Sequence, residues 1–477
     1  MQRGVILNFV SIVLKSMAPL LLIPVIVGYW YGEPTESLYA FLNASLLSVL
    51  LGYSMDYLSE KGKASTKEAM MAVGLGWVFA CLVGAIPFTG VGLSYLDAVF
   101  ESVAGFTTTG TTLLLEIRGL PHSVLFWRSF IQWLGGIGII ASFSVLLTGE
   151  DNKLLPQIFF AETSKIASQR VTQSAAKMVA VLGAVYLTLT LAEFVALSAL
   201  GVGAFDAVTH SFTTLSTGGF STFVGSVAAF DSVAVEAVIT VFMFLGGLNF
   251  IVIAHYFARK GKVNYETKLY AAIIVAASLL VCADLALNGA SLFNSAREGI
   301  FQVVSIMTTT GYTTANFIAW PKLSQIILVT LMVIGGCAGS TGGGIKVIRF
   351  GLLAKTALRE MKKVCSPKLA VNQVRIGREA VSEGVLQGVA ALFVLWLGLL
   401  LIGGTITAVA TNYPVFESFS GMASALGNIG PSLIPASETP LLPNLVKVLF
   451  MIGMLAGRLE IIPLVVLFNP ASWKGFP

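Results

Sequence analysis

Four short clusters hold most of what this chain could use for chemistry: "TTTGTT" at 107–112, "LSTGGFS" at 215–221, "TTTGYTT" at 308–314 and "SALGNIG" at 424–430. Hydroxyl and backbone carbonyl oxygens are neutral, hard ligands that can replace the hydration shell of a permeating cation. Glycine permits the unusual φ/ψ angles that turn successive carbonyls to one side. The candidate oxygen-bearing residues are Thr109, Gly110 and Thr111 in the first cluster and Thr217, Gly218 and Gly219 in the second. Thr310, Gly311 and Tyr312 serve in the third, and Leu426, Gly427 and Asn428 in the fourth. Gly110, Gly218, Gly311 and Gly427 are read as the central glycines. Covalent chemistry has no comparable support. His122, His210 and His255 lack metal-ligand spacing, the four cysteines form no metal pair, and no nucleophile–base set is visible, so no enzyme is expected.

The elements that must position these clusters belong to a membrane. Of 477 residues, 56% are hydrophobic and 11% charged, and the mean hydropathy is +0.85. Soluble domains carry about 25% charged residues. Windows longer than the ~18 apolar residues needed to cross ~30 Å of hydrocarbon recur along the chain. The short alternating segments of a membrane β-barrel are absent. The run Val5–Tyr29 is too long for a signal peptide and contains Lys15, for which snorkelling and a structural role both stay open and no role is assigned. The fold class is therefore an all-α polytopic membrane protein.

A pI near 8.9 invites a nucleic-acid reading, but the charges are placed otherwise. Of the 29 Lys and Arg, 20 lie in four loops, Lys61–Lys67, Lys153–Lys177, Arg259–Lys268 and Lys346–Arg378. Such loops are cytoplasmic by the positive-inside rule, and nucleic acid is not expected as a partner. The opposite face carries acids such as Asp97, Glu101, Asp206 and Glu417, which concentrate cations.

These loops divide the chain into a two-helix preface (1–60) and four similar units, 61–150, 151–262, 263–365 and 366–477. Each unit reads as an apolar helix, a half-helix, a Thr/Ser/Gly cluster and a second apolar helix. The half-helices open with "YLDAVFESV", "AFDAVTHSF", "LFNSAREGIF" and "PVFESFSGM". The second helices are expected at 124–147, 233–257, 323–350 and 444–468, and carry the small-residue pairs Gly135-Gly136, Gly246-Gly247, Gly335-Gly336 and Ala456-Gly457 for close packing. Four copies at a period of about 100 residues form an internal repeat. Irregular backbone at membrane depth is tolerated only where protein buries it or it lines a cavity. Four such clusters can meet on a pseudo-fourfold axis, with the partly negative C-terminal ends of the half-helices aimed at a cation.

Two further features lie near that axis. The stretch "GGCAGSTGGGIK" puts six glycines into the ten residues Gly335–Gly344, each costing a helix about 1 kcal/mol against Ala. The helix is expected to break there into a loop. A phosphate-binding loop would need Gly-Lys-Ser/Thr after a strand, whereas Gly344-Ile345-Lys346 lies in a membrane helix. Arg458, in "MLAGRLEII", is costly at this depth and needs a partner. The residues themselves suggest a pair with Glu460 or with backbone carbonyls for structure. Asp284 is given no role.

The four clusters, the helix–half-helix–helix repeats and the two leading helices resemble the Trk/Ktr/HKT superfamily of potassium transporters over essentially the whole chain. The resemblance implies a potassium-channel-like pore with potassium as the transported ion and no bound organic cofactor. Glycine in all four clusters favours potassium, since serine at the first position goes with sodium selectivity in plant members. No cluster keeps a full TVGYG, which implies weaker selectivity than a potassium channel. The resemblance also makes Gly335, Gly336, Gly339, Ser340, Thr341, Gly342, Gly343 and Gly344 an intramembrane gate loop with Arg458 beside it. It further implies a homodimer, a TrkA-like cytoplasmic nucleotide-binding regulatory ring, and membrane lipid as partners. The expected location is a bacterial cytoplasmic (inner) membrane with both termini on the cytoplasmic side. The alternative is a secondary symporter coupling potassium to sodium or protons. Such folds use inverted repeats, whereas these run parallel.

Overall fold

The computed structural model describes residues 3–60, 62, 65–147, 171–257, 263–367, 372–377 and 379–473. Much of the basic segment Lys153–Lys177 and the residues Lys61, Lys63, Arg259, Lys260, Lys262, Lys368 and Arg378 lie outside the described residues.

The leading helices, Arg3–Trp30 and Thr35–Tyr57, form an antiparallel pair. Serines fasten it: Ser45 Oγ donates to Ala18 O and Ser48 Oγ to Leu14 O. Lys15 does not reach out alone, since its Nζ meets Asp56 at 2.8 Å and each charge neutralises the other. The pair lies against the first repeat's leading helix. The apolar window of Thr66–Thr89 is consequently 72% buried, against 33% for Tyr265–Leu287 and 28% for Glu383–Ala410, which keep an apolar face outward.

Each repeat then shows the expected sequence of helix, half-helix and helix. The half-helices are Tyr95–Phe106, Ala204–Leu215, Leu292–Met307 and Val415–Gly427. At 1.5 Å per residue none of them can cross ~30 Å of hydrocarbon, so each enters and stops. Six helices among the described residues are long and apolar enough to span.

Acids from one element cap the second helices of others. Glu33 accepts from Ser123 N and Oγ at the start of His122–Leu147. Asp284 does the same for Ser324 at the start of Lys322–Ile334 (3.0 and 2.6 Å). That contact gives Asp284 the role its sequence context did not.

The second helices are less continuous than the sequence pattern suggests. In repeat 3 the helix ends at Ile334 and resumes only at Val347, as the glycine content predicts. In repeat 2 the expected 233–257 helix is two pieces, Val233–Gly246 and Phe250–Phe257, bent by 102°. In repeat 4 the expected 444–468 helix breaks after Arg458, where Glu460 and Ile461 take φ of +57° and +65°. Apolar composition does not reveal such breaks, because a broken helix inside a protein is as greasy as a straight one.

Candidate functional site

The four half-helices deliver their C-termini to one place, and the residues after them share a backbone pattern. Positive φ recurs at alternate positions: Thr108 and Gly110 (+53°, +82°), Thr217 and Gly219 (+53°, +73°), Thr309 and Gly311 (+62°, +81°), Asn428 and Gly430 (+54°, +101°). Left-handed residues at every second position flip successive peptide planes, so carbonyls that alternate in a strand fall on one side. The residue between each pair donates its N–H into the half-helix. Thr109 bonds Ala104 O, Gly218 bonds Thr213 O, Thr310 bonds Ser305 O and Ile429 bonds Ser424 O, at 2.8 to 3.0 Å.

The four loops interlock as a closed ring. A Cβ built on Gly110 would stand 2.1 Å from Gly218 O, on Gly219 2.0 Å from Thr310 O, on Gly311 1.8 Å from Ile429 O, and on Gly430 2.5 Å from Thr109 O. Each glycine thus faces the carbonyl one residue before the glycine of the next repeat, and the fourth returns to the first. Thr111 Oγ1 adds a hydrogen bond to Gly430 O at 3.0 Å across the closing seam. On one side of the ring opens a cavity of about 500 Å³ lined by Gly110, Gly219, Gly311 and Gly430.

This register corrects two of the sequence assignments. The central glycine of repeat 2 is Gly219 rather than Gly218. That of repeat 4 is Gly430 rather than Gly427, because Leu426 and Gly427 still belong to the half-helix. Asn428 is the counterpart of Thr108, not of a residue beside the glycine. The signal was present as Thr-x-Gly, Thr-x-Gly, Thr-x-Gly and Asn-x-Gly, since Asn is among the few side chains that tolerate positive φ. Gly218 has a separate reason to be glycine. Gln132 Nε2 donates to its carbonyl at 2.7 Å, and a Cβ there would lie 2.4 Å from the Gln132 amide. The phenol of Tyr312 points away from the ring, to Thr213 Oγ1 and His210 O.

Sequence reasoning passed over the brace around the first loop. Arg128 and Glu101 are both buried, with Nε to Oε1 at 2.9 Å. Arg128 also donates to Ser221 O and Thr112 Oγ1, and its guanidinium lies 4.2 Å from the Phe220 ring centre. The pair joins the outgoing limbs of loops 1 and 2. Arg128→Met is expected to strand the Glu101 carboxylate at a cost of about 3–5 kcal/mol. Glu101→Gln/Arg128→Met should recover much of that loss. Thermal unfolding of both variants in detergent checks it.

Across the ring from that cavity lies the segment Gly335–Lys346. Its residues touch the ends of three half-helices: Thr341 Oγ1 donates to Leu215 O (2.8 Å), Gly343 N to Thr309 Oγ1 (2.7 Å), and a Cβ on Gly343 would stand 2.1 Å from Gly427 O. Gly339 O accepts from Phe250 N, Ser340 Oγ donates to Cys337 O, and Cys337 N donates to Gly247 O. Gly335 and Gly344 both take positive φ and pack backbone to backbone, closing the loop's neck. Gly336 and Gly342 lie inside that fold, and Lys346 Nζ donates to Gly342 O. Arg458, 3% exposed, donates through Nη1 to Thr341 O (2.5 Å) and through Nη2 to Gly135 O (2.9 Å). It does not pair with Glu460, whose partner is Arg349 at 2.5 Å. The small-residue pairs do pack: a Cβ on Gly135 or Gly457 would lie 2.0 Å from Phe106 O or Leu426 O.

The helices, the half-helices and the ring of interlocked carbonyls define a multi-pass membrane protein of the cation-transporter class. The family model described as "TrkH: Cation transport protein" matches residues 38–280 and 269–474, and the chain belongs to that family. It is 34% identical to the "Trk system potassium uptake protein TrkH" of Escherichia coli, covering 99% of this chain and 100% of that protein. Its similarity to the protein of that name from Halomonas elongata is 33% identity, with the same coverage. Among solved structures, it superposes on the potassium transporter TrkH from Vibrio parahaemolyticus with a TM-score of 0.88 and 30% identity, covering 99% of this chain and 100% of that one.

Proposed function

We propose that this chain takes up potassium across a bacterial cytoplasmic membrane through a channel-like pore. The ring of Thr109, Gly218, Thr310 and Ile429 carbonyls is its selectivity filter. The observation that carries this reading is the closed circuit of glycine–carbonyl contacts through all four repeats. Carbonyl rings replace a cation's water without adding charge, which lets the ion leave as readily as it enters. The half-helix C-termini behind the ring contribute partial negative charge. Gly335–Lys346, lying across the half-helix ends, is the gate, and Arg458 is the latch that holds it through Thr341 O.

The family resemblance adds the remaining parts: a homodimer, termini on the cytoplasmic side, and a TrkA-like nucleotide-binding ring as regulator. The exposed basic residues Lys362 and Lys363 end the helix that leads directly out of the gate loop. A ring docked there could pull on that helix and through it on Gly344. Purified protein in liposomes tests the reading. Potassium uptake should follow its own gradient with no imposed sodium or proton gradient. Uptake that requires such a gradient would instead establish a coupled symporter.

A further inference from the structure

Glu193, near the C-terminal end of helix Val171–Ala199, is fully buried, and neither carboxyl oxygen has a hydrogen-bond partner. Among the described residues no ion pair or basic side chain bears on it. The side chain facing it is Thr214, on the half-helix of the same repeat. Thr214 Oγ1 donates to His210 O at 2.8 Å and lies 3.5 Å from the Tyr312 hydroxyl. That hydroxyl also meets Thr213 Oγ1 and His210 O, and Tyr312's own carbonyl accepts from Ser305 Oγ at 2.6 Å. Polar groups therefore run from beside Glu193, where the Thr214 hydroxyl stands short of a full hydrogen bond, to the loop that carries Gly311. The other titratable groups near this path are Tyr186 on the same helix, Tyr312, and His210, whose ring nitrogens meet Asp206 O and Ser221 Oγ. None supplies a full positive charge by necessity. An ionised carboxylate enclosed this way, inside a membrane and without a cation, is far costlier than a protonated one.

We propose that Glu193 keeps its proton and is a positioning residue for ion selectivity, its carboxyl group backing the Thr214 hydroxyl and thereby fixing Tyr312 behind the third loop. Tyr312 ties loop 3 to the half-helix of repeat 2, so a slack Tyr312 lets the Gly311 limb shift against Ile429 O. This rests on the reading of the carbonyl ring as the filter.

The test uses the full chain, purified and reconstituted, with potassium and sodium flux measured separately. Glu193→Gln keeps a neutral donor and acceptor of the same size and should hold the potassium/sodium ratio within about twofold. Glu193→Leu removes the polar contact and should lower the ratio about tenfold. Tyr312→Phe should lower it similarly, and Glu193→Leu with Tyr312→Phe no further, because both act on one path. The infrared carbonyl band of a protonated acid should be present in the parent and lost in Glu193→Gln. A missing band, or a Gln variant as impaired as the Leu variant, overturns the proton assignment. An unchanged ratio in folded Glu193→Leu overturns the positioning role. If Glu193→Leu does not fold, Tyr312→Phe, Glu193→Gln and the band decide alone, an unaltered ratio in Tyr312→Phe overturning the path. Gly311→Ser run alongside separates this from the filter reading: if it too leaves the ratio unchanged, the filter assignment itself is at fault.

Discussion

Gly311→Ser is expected to cut the potassium/sodium flux ratio by at least about tenfold, because forcing a side chain into positive φ alone costs about 1–3 kcal/mol. Here the cost is compounded by contact. A Cβ at Gly311 would stand 1.8 Å from Ile429 O and 2.7 Å from Pro431 Cδ, both belonging to the next repeat's loop. Neither is the free end of a flexible side chain, so the two loops must move apart and the ring widens at that seam. A wider ring fits potassium less closely and lets partly hydrated sodium pass. Gly430→Ser should act in the same direction, since its Cβ would meet Thr109 O at 2.5 Å with φ at +101°. Gly398 supplies the control. It has ordinary backbone and nothing within 4 Å of an added Cβ, so Gly398→Ser should leave the ratio alone. Unchanged ratios in folded Gly311→Ser and Gly430→Ser protein would mean that the ring does not select.

The second large effect is expected at Arg458. Each of its two hydrogen bonds joins a charged donor to a backbone carbonyl, a type worth about 1.5–3 kcal/mol when buried. One bond goes to Thr341 O in the segment Gly335–Lys346, the proposed gate, and the other to Gly135 O in the wall of repeat 1. Arg458→Ala should therefore raise flux in the absence of any partner by about tenfold or more, through a loosened loop. Removal of a cation near the path adds to this by relieving repulsion of the permeating ion. Arg458→Lys should fall between, because one ammonium cannot reproduce the two-carbonyl fork. The structural explanation that Arg458 merely neutralises Glu460 does not apply, since Arg349 holds that carboxylate. Arg349→Ala should instead lower folded yield by leaving Glu460 unpaired in a buried site. Liposome flux per folded molecule separates the two outcomes. Reduced or unaltered basal flux in Arg458→Ala would remove it from the gate.

The features legible in the sequence were those written in composition and repetition. Spans, half-helices and the broken third repeat follow from apolar length, a four-times repeated order and six glycines in a row of ten. Register was harder to read. In "LSTGGFS" two adjacent glycines compete, and the positive φ of Gly219, its approach to Thr310 O and the approach of Gln132 to Gly218 assign them. In "SALGNIG" the first glycine looks central, yet it continues the helix, and Asn428 takes the left-handed turn. The breaks in the second helices of repeats 2 and 4 were hidden for a related reason. At the repeat 2 break the Cys337 N–H donates to Gly247 O, and at the repeat 4 break Arg349 holds Glu460, contacts that no local pattern encodes. Pairings across the fold were likewise invisible, as Lys447 with Asp97 and Arg349 with Glu460 show. Sequence distance says nothing about which charges the repeats bring together.

The most direct test of the central claim is anomalous diffraction from crystals grown in rubidium, which substitutes for potassium and scatters strongly. The account predicts rubidium peaks on the axis enclosed by the carbonyls of Thr109, Gly218, Thr310 and Ile429, lost when the crystals are grown in sodium alone. Rubidium bound elsewhere between the helices, with that ring empty, would contradict it.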